Sequence, residues 1–208
     1  MPSSVFTNAL REATGVSWEE WIIRLQRSVD PAWSHEQIRS YILSNHRVAE
    51  EWGEWLALLF GELLGRIPVG VTKDAGVQVG YRRTINIRKD QAWSYLTSLQ
   101  GLALWLGTFS QFEWSKGFEF ESQEGVTGKL TVVEHGLKLR MTYKRPEWET
   151  QSRLQLYFLA TKTGKTTLAF HQEMLEDVYI RELMRHHWEQ VALHADTALE
   201  GAGHGNRP

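Results

Sequence analysis

The longest amphipathic segment of the chain lies near its carboxyl end, at residues 178–200. Apolar residues recur there at steps of three and four, and charged or amide side chains occupy the positions between them. This spacing predicts one apolar stripe on a helix of about 22 residues, roughly 33 Å long. Asp177 before the segment is a suitable N-cap, and Gly201 after it is a suitable C′ residue. Because such a helix must cover a broad apolar surface, we expect it to lie on a curved sheet.

Residues 1–65 follow the helical period throughout, with five tryptophans among their apolar positions. Ser17 with Glu20 has the spacing of a capping box, which predicts that a helix begins there. The pattern predicts four short amphipathic helices, the first at about residues 7–13 and the last at about residues 48–64. Four such helices around a tryptophan-rich core would form a small all-α bundle.

From Val77 onward the hydrophobic period changes from 3.6 residues to two, which is typical of half-buried strands. A helix that we expect Asp90 to cap, and a second short helix ending at Gly107, follow the first strand. Glycine-containing turn signals separate the strands that come after them. The predicted strands are 77–87, 112–114, 118–120, 126–134, 137–143, 154–160 and 166–174.

The element order predicts an α+β helix-grip fold, in which a curved antiparallel sheet surrounds the long carboxyl-terminal helix and an all-α bundle precedes it. The change of period gives the domain boundaries. We expect a helical bundle domain at 1–65, a linker without periodicity at 66–76, a helix-grip domain at 77–200 and a flexible tail at 201–208.

Composition excludes several classes of protein. The 208 residues carry a net charge of −2 without a long run of like charge, which argues against a nucleic-acid partner. The chain has no cysteine, so it has neither disulfides nor thiolate metal ligands. No apolar run is long enough to span a membrane, and the first residues lack the features of a signal peptide. We therefore expect a cytoplasmic protein.

Four segments carry a family resemblance: Asp90-x-x-Trp93, residues 104–107 (Leu-Trp-Leu-Gly), residues 126–128 (Val-Thr-Gly) and residues 170–191. On these, residues 77–200 resemble the SRPBCC/START-like helix-grip superfamily, and within it the AHSA1-type group related to the carboxyl-terminal domain of the Hsp90 ATPase activator. Residues 8–65 resemble a small helical domain of unknown function that often precedes such domains. The resemblance implies a fold shared by ligand carriers, cyclases, dehydratases and co-chaperones, and it does not choose between them.

Strand alternation places several polar side chains on the face that should meet the long helix. Arg83, Tyr81 and Gln172 lie on this phase, and we predict that Glu134 shares the phase of Leu130 and Val132. One interpretation is structural: Arg83 pairs with Glu134 or extends from the rim into solvent. The other is that the polar side chains orient a ligand in an otherwise apolar cavity.

Our main hypothesis is that the chain binds a small hydrophobic or amphipathic molecule between sheet and helix. The residues predicted to bind this ligand are Tyr81, Arg83, Trp105, Phe118, Met141, Tyr143, Phe158, Phe170, Gln172, Met184 and Trp188. One alternative is a cyclase- or dehydratase-like enzyme that uses Arg83, Tyr143 and Glu134 in the same cavity. Another is an interaction protein with a chaperone or regulator as its partner.

Histidines provide weaker candidates for chemistry. His171 with Glu173 forms an H-x-E pair, and three histidines fall on the long helix, but neither group has the ligand number and spacing of a metal site. We therefore predict no metal, no cofactor and no catalytic residue, and the sequence leaves the ligand and the oligomeric state open.

Overall fold

The computed structural model describes residues 2–68, 71–72 and 76–203, with side chains described at 2–68 and 76–198. The helices of these residues are α1 Ser4–Thr14, α2 Trp18–Ser28, α3 His35–Asn45, α4 Glu50–Leu63, α5 Lys89–Leu96, α6 Leu99–Trp105 and α7 Val178–Gly203. The strands are β1 Val71–Thr72, β2 Gly76–Ile85, β3 Glu119–Glu121, β4 Thr127–Glu134, β5 Lys138–Lys144, β6 Ser152–Ala160 and β7 Thr166–Leu175.

The described strands form one antiparallel sheet in the order β1-β2-β7-β6-β5-β4-β3. Helix α7 packs against β2 and β7 and also contacts α5 and α6. Its Met184 and Trp188 side chains have no exposed surface and belong to the same apolar core as the inward residues of the sheet. This arrangement confirms the predicted α+β helix-grip fold with helices at its amino-terminal end.

The first turn of α7 joins the sheet to the amino-terminal helices. The Asp177 carboxylate caps this turn, since Oδ1 accepts from the Ile180 N–H at 2.8 Å, and its Oδ2 accepts from the Ser3 N–H at 2.8 Å. Val178 and Tyr179 pack in the core of α1–α4, where Tyr179 contacts the Phe6 ring. One helix therefore serves two apolar cores, and the division into domains at 1–65 and 77–200 stays a prediction.

Three helix ends differ from the predicted positions. Helix α7 continues to Gly203, so Gly201 lies inside the helix and is not its C′ residue. Helix α5 has Arg88 at its N-cap position, and Asp90 lies in its first turn. Helix α1 begins three residues earlier than predicted because the Ser3 hydroxyl caps it. Short polar residues favour caps, but several neighbouring positions can satisfy the same free N–H groups.

Part of the predicted linker at 66–76 is regular structure. Val71–Thr72 forms β1, which pairs with the start of β2 at Val77 and Gly76. Residues 69–70 and 73–75 of the linker, and residues 204–208 of the predicted tail, lie outside the described residues.

A β-bulge in β4 changes which side chains face α7. Leu130 lies opposite Met141, but the next paired residue, Val132, lies opposite Arg140. An extra residue reverses the alternation, because successive strand side chains point to opposite faces. Val133 consequently packs on the core, while Val132 and the exposed Glu134 lie on the outer face. The predicted inward positions of Val132 and Glu134 were therefore wrong.

Residues 112–114 were predicted as a strand and instead form a loop. Phe112 and Trp114 alternate because the loop packs two aromatic rings inward, and their rings lie 4.6 Å apart. The Trp114 indole N–H donates to the main-chain oxygen of Thr97 at 2.9 Å. Alternation alone does not separate such a loop from a strand.

Candidate functional site

Most of the predicted ligand-binding residues fill the space between sheet and helix with their own side chains. The Phe170 and Trp188 rings stack with centroids 4.9 Å apart and planes 10° apart. Residues of the predicted set that are at most 2% exposed are Trp105, Met141, Tyr143, Phe158, Phe170, Gln172, Met184 and Trp188. Close packing of this kind favours a structural role for the central members of the set.

Gln172 is buried in this core and has hydrogen-bond partners on both sides of its amide. Its Oε1 accepts from the Trp188 indole N–H at 3.0 Å, and its Nε2 donates to the Ser152 hydroxyl at 2.7 Å. The Ser152 hydroxyl in turn donates to the main-chain oxygen of Tyr143 at 2.9 Å. A buried polar side chain is stable when its groups are paired in this way, so Gln172 ties α7 to β7, β6 and β5.

Arg83 and Glu134 do not meet. Arg83 donates to the Asp196 carboxylate of α7 at 3.3–3.4 Å, and its side chain is 36% exposed. Glu134 lies on the other face of the sheet, beyond the β4 bulge. Arg83 therefore lies at the rim of the sheet–helix interface, as the structural interpretation predicted, but its partner is Asp196.

Two predicted residues have intermediate burial at the edges of the core. Tyr81 packs against the core from β2. Phe118 precedes β3 and packs against Phe112, with ring centroids 5.1 Å apart. Neither side chain lies at the cavity described next.

A cavity of about 270 Å³ lies at the edge of the core, where α6, the two loops that follow β3 and β5, and α7 converge. Trp105 and Tyr143 are the members of the predicted set that line it. Its full lining is Ala103, Leu104, Trp105, Leu106, Gly107, Glu124, Val126, Tyr143, Arg145, Pro146, Glu147 and His187. The lining thus combines apolar side chains, most of them from α6, with polar side chains from β5, the two loops and α7.

The rim of the cavity is held by a contact between two loops. Both oxygens of the Glu124 carboxylate accept from Thr108, one from its N–H and one from its hydroxyl, at 2.7 Å each. These hydrogen bonds to Thr108 lower the Glu124 pKa to about 2. Gly107 has a φ of 108°, and a Cβ there would come within 2.4 Å of the Glu124 carboxylate. The turn therefore needs glycine both for its backbone angle and for space.

The polar side of the cavity contains Tyr143, Arg145 and His187. The Tyr143 hydroxyl accepts from the Arg145 Nε at 3.1 Å, and burial raises the Tyr143 pKa. Burial, with a smaller effect of the Arg145 charge, lowers the His187 pKa to about 4. The His187 ring packs edge-on against Trp188 at 4.6 Å. His187 is therefore a neutral side chain at pH 7.

Sequence reasoning considered His187 only as a metal ligand and did not consider Arg145. The available signal for His187 was its position three residues after Met184 and four before Val191, which places it at the edge of the apolar stripe. Among the described residues, no group of three or more His, Asp or Glu side chains is placed to hold a metal ion.

Comparisons with known proteins identify the fold. No protein-family model and no curated protein sequence matches the chain. Among solved structures, the chain is similar to DynU16 of the dynemicin biosynthetic locus, with a TM-score of 0.53 and 15% identity over 59% of this chain and 47% of that one. It is also similar to CalU16 from Micromonospora echinospora, with a TM-score of 0.52 and 15% identity over 60% and 74% of the two chains.

An HSP90 activator from Plasmodium falciparum is similar as well, with a TM-score of 0.51 and 18% identity over 60% of this chain and 96% of that one. These similarities, at identities of 15–18%, show the fold alone, and that fold is the helix-grip arrangement that the predicted resemblance implies. The chain matches less than half the length of DynU16, so the activity of that protein does not transfer with the fold. No helix among the described residues is long and apolar enough to cross a membrane.

Proposed function

We propose that the chain binds a small amphipathic molecule in the cavity between α6 and α7. The proposal keeps the predicted class of ligand but moves the site from the centre of the sheet–helix interface to its edge. The observation that supports it is the mixed lining of the cavity, which combines the apolar Leu104, Leu106 and Val126 with the polar Tyr143 and Arg145. Ligand sites in proteins combine apolar walls with a few polar groups in this manner.

The size of the cavity limits the ligand. Its volume of about 270 Å³ lies just below the usual range for drug-sized ligands, about 300–1,000 Å³. This space accommodates a molecule with one ring or a short chain. Protein side chains fill the space beside Trp188 in the packed core.

Native mass spectrometry tests the proposal. The chain is incubated with a mixture of small metabolites, and we expect retained species that disappear in an Ala103→Trp variant, because the indole fills the mouth of the cavity. Ala13→Trp is the matched control, since Ala13 is also an exposed helical alanine but lies on α1. Retention that is equal in both variants, or no retained species in the wild type, contradicts the proposal.

We do not propose either of the two alternative functions, the cyclase- or dehydratase-like enzyme and the interaction protein. The acid–base set of Arg83, Tyr143 and Glu134 is not brought together, so we do not propose a reaction that uses it. The similarity to an HSP90 activator concerns the fold, and a protein partner for this chain stays a prediction.

A further inference from the structure

Two residues that line the cavity, Tyr143 and His187, have hydrogen-bonding capacity that no described residue uses. The His187 Nε2 atom is buried and has no partner among the described residues. Tyr143 is 1% exposed, and the one hydrogen bond that its hydroxyl makes with a described residue is the bond it accepts from Arg145. The proton of that hydroxyl is therefore free to be donated.

Leaving such groups unpaired is costly. A buried donor or acceptor without a partner costs about 1–3 kcal/mol, and most buried polar groups are therefore paired. The packed interior follows this rule at Gln172 and Ser152, where the groups of both side chains are used. Among the described residues, the buried side-chain atoms without a partner are Glu176 Oε2 and His187 Nε2, and His187 lines the same cavity as Tyr143, whose hydroxyl proton is unused.

The Tyr143 hydroxyl and the His187 Nε2 atom require different hydrogen-bond partners. The Tyr143 hydroxyl has its proton left to donate, since its oxygen already accepts from the Arg145 guanidinium, and this bond to a cation strengthens the hydroxyl as a donor. It therefore requires an acceptor oxygen. The His187 Nε2 carries a proton in one neutral tautomer and a lone pair in the other, and a hydroxyl group can pair with either form.

The charge of the lining points to a neutral ligand. Glu124 and Glu147 line the same cavity as the single cation Arg145. Arg145 already interacts with the Tyr143 oxygen, and a carboxylate in this space would lie near two further carboxylates. Repulsion between like charges at short range opposes binding.

We propose that Tyr143 and His187 select a neutral, single-ring ligand that carries an acceptor oxygen for the Tyr143 hydroxyl and a hydroxyl group for His187 Nε2. This selection rests on the proposed binding function and gives it a chemical class. Arg145 is a positioning residue, since it holds the Tyr143 oxygen and leaves the hydroxyl proton to the ligand.

A set of probes with one skeleton tests the selection. Ethylbenzene has neither polar group, acetophenone has the acceptor oxygen, 3-ethylphenol has the hydroxyl, 3′-hydroxyacetophenone has both, and 3-acetylbenzoate adds a negative charge. Dissociation constants are measured by ligand-observed NMR at pH 7 for the full chain. Each matched hydrogen bond contributes about three- to tenfold in affinity, so we expect 3′-hydroxyacetophenone to bind most tightly and 3-acetylbenzoate to bind more weakly than acetophenone.

Two variants assign the effects to the two side chains. We expect Tyr143→Phe to weaken acetophenone about three- to tenfold and to leave ethylbenzene unchanged, which also reports that the variant is folded. We expect His187→Phe to weaken 3-ethylphenol by a similar factor. Tyr157→Phe is the control, because it removes a hydroxyl that hydrogen-bonds Gln155 away from the cavity.

The outcomes separate this inference from the proposed function. Equal affinity for the four uncharged probes, tighter binding of 3-acetylbenzoate, or unchanged discrimination in Tyr143→Phe overturns the selection while leaving a binding site. A metabolite retained in mass spectrometry, with none of the probes bound, also overturns the selection alone. No binding of any probe or metabolite overturns both.

Discussion

Gly107 is the residue on which the rim of the cavity most depends. We predict that Gly107→Ala lowers the free energy of unfolding by about 2–4 kcal/mol, because alanine at this positive φ is strained and its Cβ would displace the Glu124 and Ser122 side chains. Urea denaturation followed by tryptophan fluorescence measures the change.

Gly117 provides the control for this prediction. Its φ is 95°, and a Cβ there would meet no atom within 4 Å, so Gly117→Ala adds backbone strain without the steric conflict. The expected loss is about 1 kcal/mol. A Gly107→Ala variant that is no less stable than Gly117→Ala contradicts the account of the rim.

His187 makes stability depend on pH. Burial, then the Arg145 charge, lowers its folded-state pKa to about 4, whereas the unfolded chain binds a proton near pH 6.5. Above pH 6.5 the imidazole is neutral in both states, and His187 does not reduce the free energy of unfolding. This free energy falls as the pH decreases from 6.5 toward 4, because the unfolded state binds the proton first. The loss at pH 4 is about 3 kcal/mol. We expect the stability of His187→Phe to fall less than that of the wild type over this window, and His194→Phe, on the exposed side of α7, to follow the wild type.

At the scale of elements, the β4 bulge decides which valine is part of the core. We predict that Val133→Asp destabilises the chain by about 2–3 kcal/mol, because it places a charge against the apolar core. Val132→Asp, on the outer face opposite Arg140, should cost less than about 1 kcal/mol. Thermal unfolding of both variants measures the difference. Regular alternation requires the reverse order, and finding it would contradict the register described here.

The bulge also marks the limit of what the sequence reveals at this scale. Alternation placed Met141 and Phe170 correctly, because their strands are regular around these positions, and it placed Leu130 correctly because this residue precedes the bulge. One inserted residue in β4 places Val132 and Glu134 on the opposite face. No glycine or turn residue lies at the bulge itself, so the sequence does not indicate it. The helices were easier to predict, because their apolar stripes repeat over several turns and capping residues mark several of their ends.

The candidate site shows the same contrast. Trp105 and Tyr143 were predicted as lining residues because they belong to apolar patterns that face the core. Arg145 and His187 come from a loop and from the edge of a helical stripe, and only the folded chain brings them to the Tyr143 hydroxyl and the cavity. Whether a space between elements is filled depends on side-chain packing, which a sequence pattern does not contain.

At the scale of the whole molecule, successive parts of the long helix α7 contact different parts of the structure. Its first turn packs in the amino-terminal bundle through Val178, its middle fills the sheet through Trp188, and His187 beside that ring lies at the cavity. Asp196, about two turns beyond Trp188, pairs with Arg83 of β2. We propose that protein side chains occupy the interior and that a ligand binds at its edge.

The tryptophan indole N–H signals in a ¹⁵N-correlated NMR titration with 3′-hydroxyacetophenone test this claim most directly. Trp105 lines the cavity and its indole N–H donates to the Leu96 main-chain oxygen, whereas the Trp188 N–H donates to Gln172 in the packed interior. We predict that the Trp105 signal shifts with saturation and that the Trp188 signal, whose ring contacts His187, shifts less. A shift of the Trp188 signal with the Trp105 signal unchanged would place the ligand in the interior and contradict the account.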